Sequence, residues 1–233
     1  MKNKRVSVAM ATYNGEKYIK EQIESILLNL EDNDELVISD DGSTDKTIEI
    51  INAIADSRIK LLCGPKQGLI KNFENAIVNC SGDYIFLSDQ DDIWEPNKVS
   101  KVLEYFIMKN CDCIIHDCII INSDDSQIIN NSFFNYRHSR KGFFSNIIKN
   151  SYIGCCMAFK KELLKKILPF PKNIAMHDQW IGLISNKYGK NYFLSDKLIR
   201  YRRHENNKTN MKHLKCKFMI KNRLNMIFNI VKR

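Results

Sequence analysis

The sequence predicts one α/β domain built around a largely parallel sheet. Short apolar runs alternate with helical repeats through the first hundred residues, the pattern of strands joined by crossover helices. Acidic and small residues follow the ends of those runs, where open α/β sheets bind ligands. A chain of 233 residues, 44% apolar and 27% charged, is long enough for one such domain plus a small appendage.

Residues 6–11 read as the first, buried strand. The basic Lys2 to Arg5 before it imitates a secretory leader, but the apolar run is too short and passes directly into Thr12-Tyr13-Asn14-Gly15. Ile19, Ile23, Ile26, Leu27 and Leu30 then share one face of an amphipathic helix. Residues 35–39 form a second strand and Asp41-Gly42-Ser43-Thr44 a turn, with Thr44 or Asp45 able to cap the next helix. A third strand falls at Ile59–Cys63, a helix at residues 68–80 and a fourth strand at Tyr84–Ser88.

The second half is less regular. Strands are expected at Cys113–Ile121 and at residues 152–159 and 191–201, with helices near 160–168 and 177–187. Residues 122–146 lack periodicity and read as a long loop, of the kind that often covers a site. The eight cysteines show no CxxC pair and read as reduced core residues of a cytoplasmic protein. No apolar run approaches the roughly 20 residues that cross a bilayer.

The net charge of +9 is concentrated at the end of the chain. Residues 208–233 hold eight Lys or Arg and no acid, leaving 28 basic against 27 acidic residues elsewhere. A nearly neutral body without a nucleic-acid motif argues against a nucleic-acid partner. In the tail, Ile220, Leu224, Ile227 and Val231 form an apolar stripe among cations. That composition predicts a helix lying on an anionic membrane surface, outside a catalytic domain of residues 1–207; a helix packed on the domain with its basic face in water is the plainer alternative.

Chemistry concentrates after the fourth strand. Asp89-Gln90-Asp91-Asp92 places three carboxylates in four positions, which repel one another unless a cation neutralises them. Carboxylate oxygens suit Mg²⁺ or Mn²⁺, ions that commonly bridge to phosphate. A solvated acidic turn capping the following helix is the plainer alternative. Asp40-Asp41 ends the second strand on the same rim, where a carboxylate can accept from a pyrimidine N–H.

Val8-Ala9-Met10-Ala11-Thr12-Tyr13-Asn14-Gly15, Ile38-Ser39-Asp40-Asp41-Gly42-Ser43-Thr44-Asp45 and Gly82-Asp83-Tyr84-Ile85-Phe86-Leu87-Ser88-Asp89-Gln90-Asp91-Asp92-Ile93-Trp94 together resemble the family 2 inverting glycosyltransferases. The Ser-Asp-Gln-Asp-Asp-Ile-Trp form is most similar to bacterial rhamnosyltransferase-like members. The resemblance implies a glycosyltransferase A-type, Rossmann-like domain with a mixed central sheet. It also implies a UDP- or dTDP-linked sugar donor, Mn²⁺ or Mg²⁺, and a saccharide or lipid-linked acceptor. Residues 1–100 would form the donor half and residues 101–207 the acceptor half.

By the same resemblance, Thr12, Tyr13, Asn14, Asp41, Gly68, Asn72, Asp89 and Gln90 border the nucleotide sugar. Tyr13 lies against the base and Asp41 contacts it, with Lys66 or Lys71 supplying a nearby positive charge. Asp89, Asp91 and His204 hold the metal, His204 lying in Tyr201-Arg202-Arg203-His204-Glu205-Asn206-Asn207. Met176-His177-Asp178-Gln179-Trp180 resembles the acceptor-side motif, which makes Asp178 the catalytic base and Trp180 part of the acceptor wall. The implied reaction transfers rhamnose or another hexose to a growing surface glycan or lipid-linked saccharide. The rival reading is a catalytically silent nucleotide-sugar-binding module. Such a module would lose the base, so the presence of Asp178 argues against it; the plainer alternative for Asp178 itself is a helix cap.

Overall fold

The computed structural model describes residues 5–205, 207 and 216–233. In chain order the first half runs β1 (Val6–Thr12), α1 (Ile19–Leu27), β2 (Glu35–Asp40), α2 (Thr47–Ala53), β3 (Ile59–Cys63), α3 (Leu69–Val78), β4 (Tyr84–Ser88), β5 (Ile93–Trp94) and α4 (Lys98–Met108). The second half adds β6 (Cys113–Ile121), β7 (Ile128–Asn130), α5 (Phe133–Arg137), α6 (Phe143–Ile148), β8 (Met157–Lys160), α7 (Leu164–Ile167), α8 (His177–Tyr188) and β9 (Asn191–Arg202), with α9 (Cys216–Lys232) last.

One mixed sheet carries the molecule, in the order β3-β2-β1-β4-β8-β6-β9-β5, with β7 added beside β6. The first four strands are mutually parallel, as the alternating pattern predicts. Both faces of β1, β2 and β4 are covered, which is why these strands are buried along their whole length, while the edge strand β3 is only partly buried. Val8, Met10 and Phe86 face one core with Ile19, Ile23 and Ile26 of α1. Ala9, Ala11, Ile85 and Leu87 face the other with Phe73, Ala76 and Ile77 of α3.

The differences from expectation lie mainly in the second half. Residues 152–159 are not one strand: a 3₁₀ turn at Gly154–Cys156 precedes the short β8, which lies antiparallel between β4 and β6. Gly154 allows that turn to pack tightly, since a Cβ there would sit 2.8 Å from the His177 ring nitrogen Nε2. Residues 122–146 are not a featureless loop but include β7, α5 and the start of α6. Each is about a turn or a bridge long, too short to leave a period in the sequence. At α2 it is Asp45 whose carboxylate accepts from Thr47 N, at 3.0 Å.

The final helix is docked on the domain, not separate from it. Met226 and Ile230 are buried in the second core, and Lys187 Nζ donates to Ile230 O at 2.7 Å. The stripe of Ile220, Leu224, Ile227 and Val231 faces outward. Lys208, Lys212 and Lys215 of the basic tail lie outside the described residues. Among the described residues no helix is long and apolar enough to cross a membrane.

Candidate active site

The parallel register brings the C-terminal ends of β1, β2 and β4 side by side, pairing Thr12 with Asp40 and Met10 with Ser88. The loops that follow them form a hydrogen-bonded rim. Asp40 accepts from Gly42 N at 3.0 Å and from Ser43 N at 2.8 Å, shaping the turn. Asp41 accepts from Gly68 N at 2.7 Å and Gln67 N at 3.3 Å, fastening the start of α3 to β2. Asn72, buried, donates to the carbonyls of Thr12 (3.1 Å) and Ser39 (2.8 Å) and ties both strand ends to α3. Asn14, in the left-handed region at φ 50, accepts from Thr44 N at 2.9 Å.

Gln90 reaches back across the rim. Its Oε1 accepts from Thr12 Oγ1 at 2.7 Å and Tyr13 N at 2.8 Å, and its Nε2 donates to Tyr13 O at 3.2 Å. The side chains of Thr12, Asn14, Asn72 and Gln90 are therefore engaged in building the cradle. What the cradle offers outward is the half-exposed ring of Tyr13 and the backbone at Gly68. Gly68 has φ +85, and a Cβ there would meet nothing within 4 Å, so the chain opens onto free space at the start of α3. Of the two lysines, Lys71 is ion-paired with Glu74, whereas Lys66 lies against Gly42.

The three acids after β4 divide between two neighbourhoods: Asp91 meets His204, and Asp89 and Asp92 gather around Cys155. Asp91 Oδ2 lies 2.7 Å from His204 Nε2, so the strand ends of β4 and β9 bring two of the three expected metal ligands together across 113 residues. Asp89 and Asp92 gather instead with Cys155, their ligand atoms within 4.8 Å of one another. Burial, with the charges of Asp91 and Asp178, pushes the Asp89 carboxyl up to about 7. Burial and the neighbouring acids push Asp92 well above the carboxylate range. Asp92 Oδ2 is buried without a partner.

This set fits a hard divalent cation: crowded oxygens whose mutual repulsion a cation would relieve, flanked by an imidazole. The Cys155 thiol does not fit as a ligand. Burial holds it protonated.

Two residues that support this centre were not singled out from the sequence. Arg202, 2% exposed, donates from its backbone N to Asp92 Oδ1 and from Nε to Asp91 O, both at 3.0 Å. Its Nη2 reaches Glu21 at 2.6 Å, so one guanidinium links β9, α1 and the acidic turn. Asn207 accepts from His204 N at 2.6 Å and donates to Asp91 Oδ2 at 3.3 Å. Both stand in the motif that supplied His204, and a buried arginine is rare enough to need such partners.

The surroundings of Asp178 are drier. Asp178 begins α8, 8% exposed, and its Oδ1 accepts from Gln179 N at 2.5 Å and Asn150 Nδ2 at 3.3 Å. Burial raises its carboxyl to about 6, those hydrogen bonds opposing the rise. His177 stacks on Phe73 at 3.9 Å between centroids, with neither ring nitrogen partnered, and burial pulls it down to about 3. Trp180 corrects an expectation. It is wholly buried and donates from Nε1 to Ile167 O at 2.9 Å, so it joins α8 to α7 in the core and lines no acceptor wall. It lies two residues beyond Asp178, about 200° around the helix, and so points inward.

A mixed α/β sheet with three acids gathered at the end of β4 is the architecture expected of a nucleotide-sugar transferase. Residues 7–168 match the model of glycosyl transferase family 2, and the chain belongs to that family. It is 30% identical over 215 residues to the dTDP-rhamnosyl transferase RfbG of Shigella flexneri, covering 85% of this chain and 72% of that protein. It is 32% identical over 168 residues to the UDP-Glc:alpha-D-GlcNAc-diphosphoundecaprenol beta-1,3-glucosyltransferase WfgD of Escherichia coli, covering 71% and 64%. An uncharacterized glycosyltransferase of Nostoc is 28% identical over 71% of this chain, which spans 53% of that relative.

Among solved structures, S. aureus TarS 1-349 in complex with UDP-GlcNAc superposes with a TM-score of 0.78 at 18% identity, covering 97% of this chain and 66% of that one. The mannosyltransferase PcManGT from Pyrobaculum calidifontis, in complex with GDP-Man and Mn²⁺, gives 0.61 at 19% identity, covering 83% and 55%. These likenesses show the glycosyltransferase A-type fold.

Proposed function

We propose that this protein is an inverting, metal-dependent hexosyltransferase. It moves a sugar from a UDP- or dTDP-linked donor to a hydroxyl of a lipid-linked saccharide at the inner face of the cell membrane. The observation that carries the reading is Asp178: a desolvated carboxyl raised to about 6, close enough in charge to Asp89 to raise it in turn. The dTDP and UDP in the names of the two bacterial relatives, and the diphosphoundecaprenol in one, support the donor and acceptor classes.

In this scheme Tyr13 borders the base, Asp41 faces it, and the open backbone at Gly68 admits the nucleotide. Asp89, Asp91 and His204 would hold Mn²⁺ or Mg²⁺, which when bound supplies positive charge against the diphosphate. The acceptor oxygen bonds to the anomeric carbon as the carbon–oxygen bond to the diphosphate breaks. Its proton passes to Asp178, which returns it to water before the next turnover. One displacement inverts the anomeric configuration, and the base contributes roughly 10²–10⁴-fold.

A thermal-shift screen with UDP, GDP and dTDP, each with and without Mn²⁺, tests the donor site. UDP or dTDP should raise the melting temperature with metal present, by mass action on the folded state. Asp91→Ala, or EDTA, should weaken that binding. No shift with any nucleotide would refute the donor site, and shifts indifferent to both treatments would remove the metal.

A further inference from the structure

Two neighbouring helices turn apolar faces to solvent. On α9, Ile220, Leu224, Ile227, Phe228 and Val231 are 41–74% exposed, while Met226 and Ile230 fasten the opposite side to the core. On α6, Phe144 and Ile148, four residues apart and so on one face, are 79% and 64% exposed. Arg223 Nη2 donates to Ile148 O at 2.6 Å, so the two faces adjoin. Scattered exposed apolar residues need no explanation, but a continuous surface over two helices marks a place of contact.

Charge identifies what it contacts. No Asp or Glu occurs in residues 126–161 or after Glu205, so both helices lie in segments that are exclusively cationic. Arg140, Lys141, Lys149, Lys221 and Lys232 are exposed around the apolar surface. A second copy of the chain would set like charges against like across a twofold interface. An anionic bilayer offers apolar depth and negative headgroups together.

The surface is also tied to the catalytic side. Gln179 Nε2 donates to Asn146 O at 2.8 Å, and Asn150, two residues past Ile148, donates to Asp178. We infer that α6 and α9 form one membrane-seating face, with Phe144 and Ile148 entering the lipid beside the Asp178 carboxylate. The inference rests on the proposed lipid-linked acceptor and adds the orientation of the protein on the bilayer. A lipid-borne acceptor would meet the base without leaving the interface.

Co-sedimentation with phosphatidylglycerol–phosphatidylcholine vesicles tests it. The protein should bind at low salt, release at high salt and ignore pure phosphatidylcholine. Phe144→Ser with Ile148→Ser should lower binding by at least about tenfold, and Leu224→Ser with Val231→Ser likewise. Nucleotide-induced thermal shifts and the melting temperature should stay unchanged in both. In a separate variant, Phe144→Trp fluorescence should be quenched by brominated lipid, above the background of Trp94 and Trp180.

Undiminished binding by the α6 variant would overturn the inference. An unquenched Phe144→Trp, or a dimer that these substitutions disperse, would do the same. Turnover of UDP- or dTDP-sugars onto a soluble saccharide is read separately. Its loss would count against the transferase reading whatever the vesicles show.

Discussion

The proposed donor rim and the proposed acceptor rim are built on opposite principles. On the donor side, polar side chains are largely bonded to backbone: Asp40, Asp41, Asn14, Asn72 and Gln90 together fix the loops after β1 and β2. On the acceptor side, His177 has no hydrogen-bond partner on either nitrogen and Asp178 is desolvated. The first arrangement gives a cradle set before its ligand arrives. The second keeps a carboxyl costly to ionise, which suits it to the proposed role of base. The contrast teaches that binding precision comes from satisfied polar groups and reactivity from an unsatisfied environment.

The largest expected effect separates the two rims outright. Asp178→Asn should cut turnover by at least roughly 10²-fold while donor affinity holds. Its folded pKa of about 6 exceeds the ordinary 3.8, so the carboxyl costs nothing below about pH 4 and its full penalty above about pH 6. That penalty is of the order of 3 kcal/mol at pH 7. Asparagine escapes it and keeps an oxygen for Gln179 N, so the inactive variant should melt several degrees higher near neutral pH. A variant that is both inactive and less stable would mean that Asp178 mainly supports the fold.

The same ionisation should shape the pH profile. The rate should climb about tenfold per pH unit below pH 6 and level off above it, as Asp178 loses its proton. A rate that stays flat down to pH 5 would assign the proton transfer elsewhere.

A smaller effect probes the cradle. Gln90→Leu removes three hydrogen bonds from the Thr12-Tyr13 segment, each worth about 1 kcal/mol net. The donor KM should rise roughly tenfold or more with kcat nearly preserved. Loss of kcat at constant KM would place Gln90 in the chemistry instead. Least of all, Trp180→Phe should lower stability by about 1–3 kcal/mol through its lost bond to Ile167 and lost volume. The acceptor KM should not move; a clear rise would return Trp180 to the acceptor wall.

Legibility followed the same division. In the donor half each buried strand is bounded by turns and each helix repeats its apolar residues over two or more turns. Ile59–Cys63 and Tyr84–Ser88 could thus be placed to the residue. The acceptor half uses pieces too short for periodicity, such as β7, α5 and the 3₁₀ turn at Gly154–Cys156. Arg202 was passed over because its partners Asp91, Asp92, Ser123 and Glu21 are distant in sequence.

What the sequence by itself determined was local: which segments are strands, which motifs end them, and that Asp178 begins a helix. Only the tertiary structure decided which side of a helix meets the core. The stripe of Ile220, Leu224, Ile227 and Val231 has the spacing of a buried face, yet α9 docks through Met226 and Ile230 and turns that stripe outward. Trp180 shows the converse, an aromatic beside the base that α8 rotates fully inward. Helical spacing states which residues share a side. The surface available on the neighbouring elements states which side is covered, and that information is spread over residues far apart in the chain.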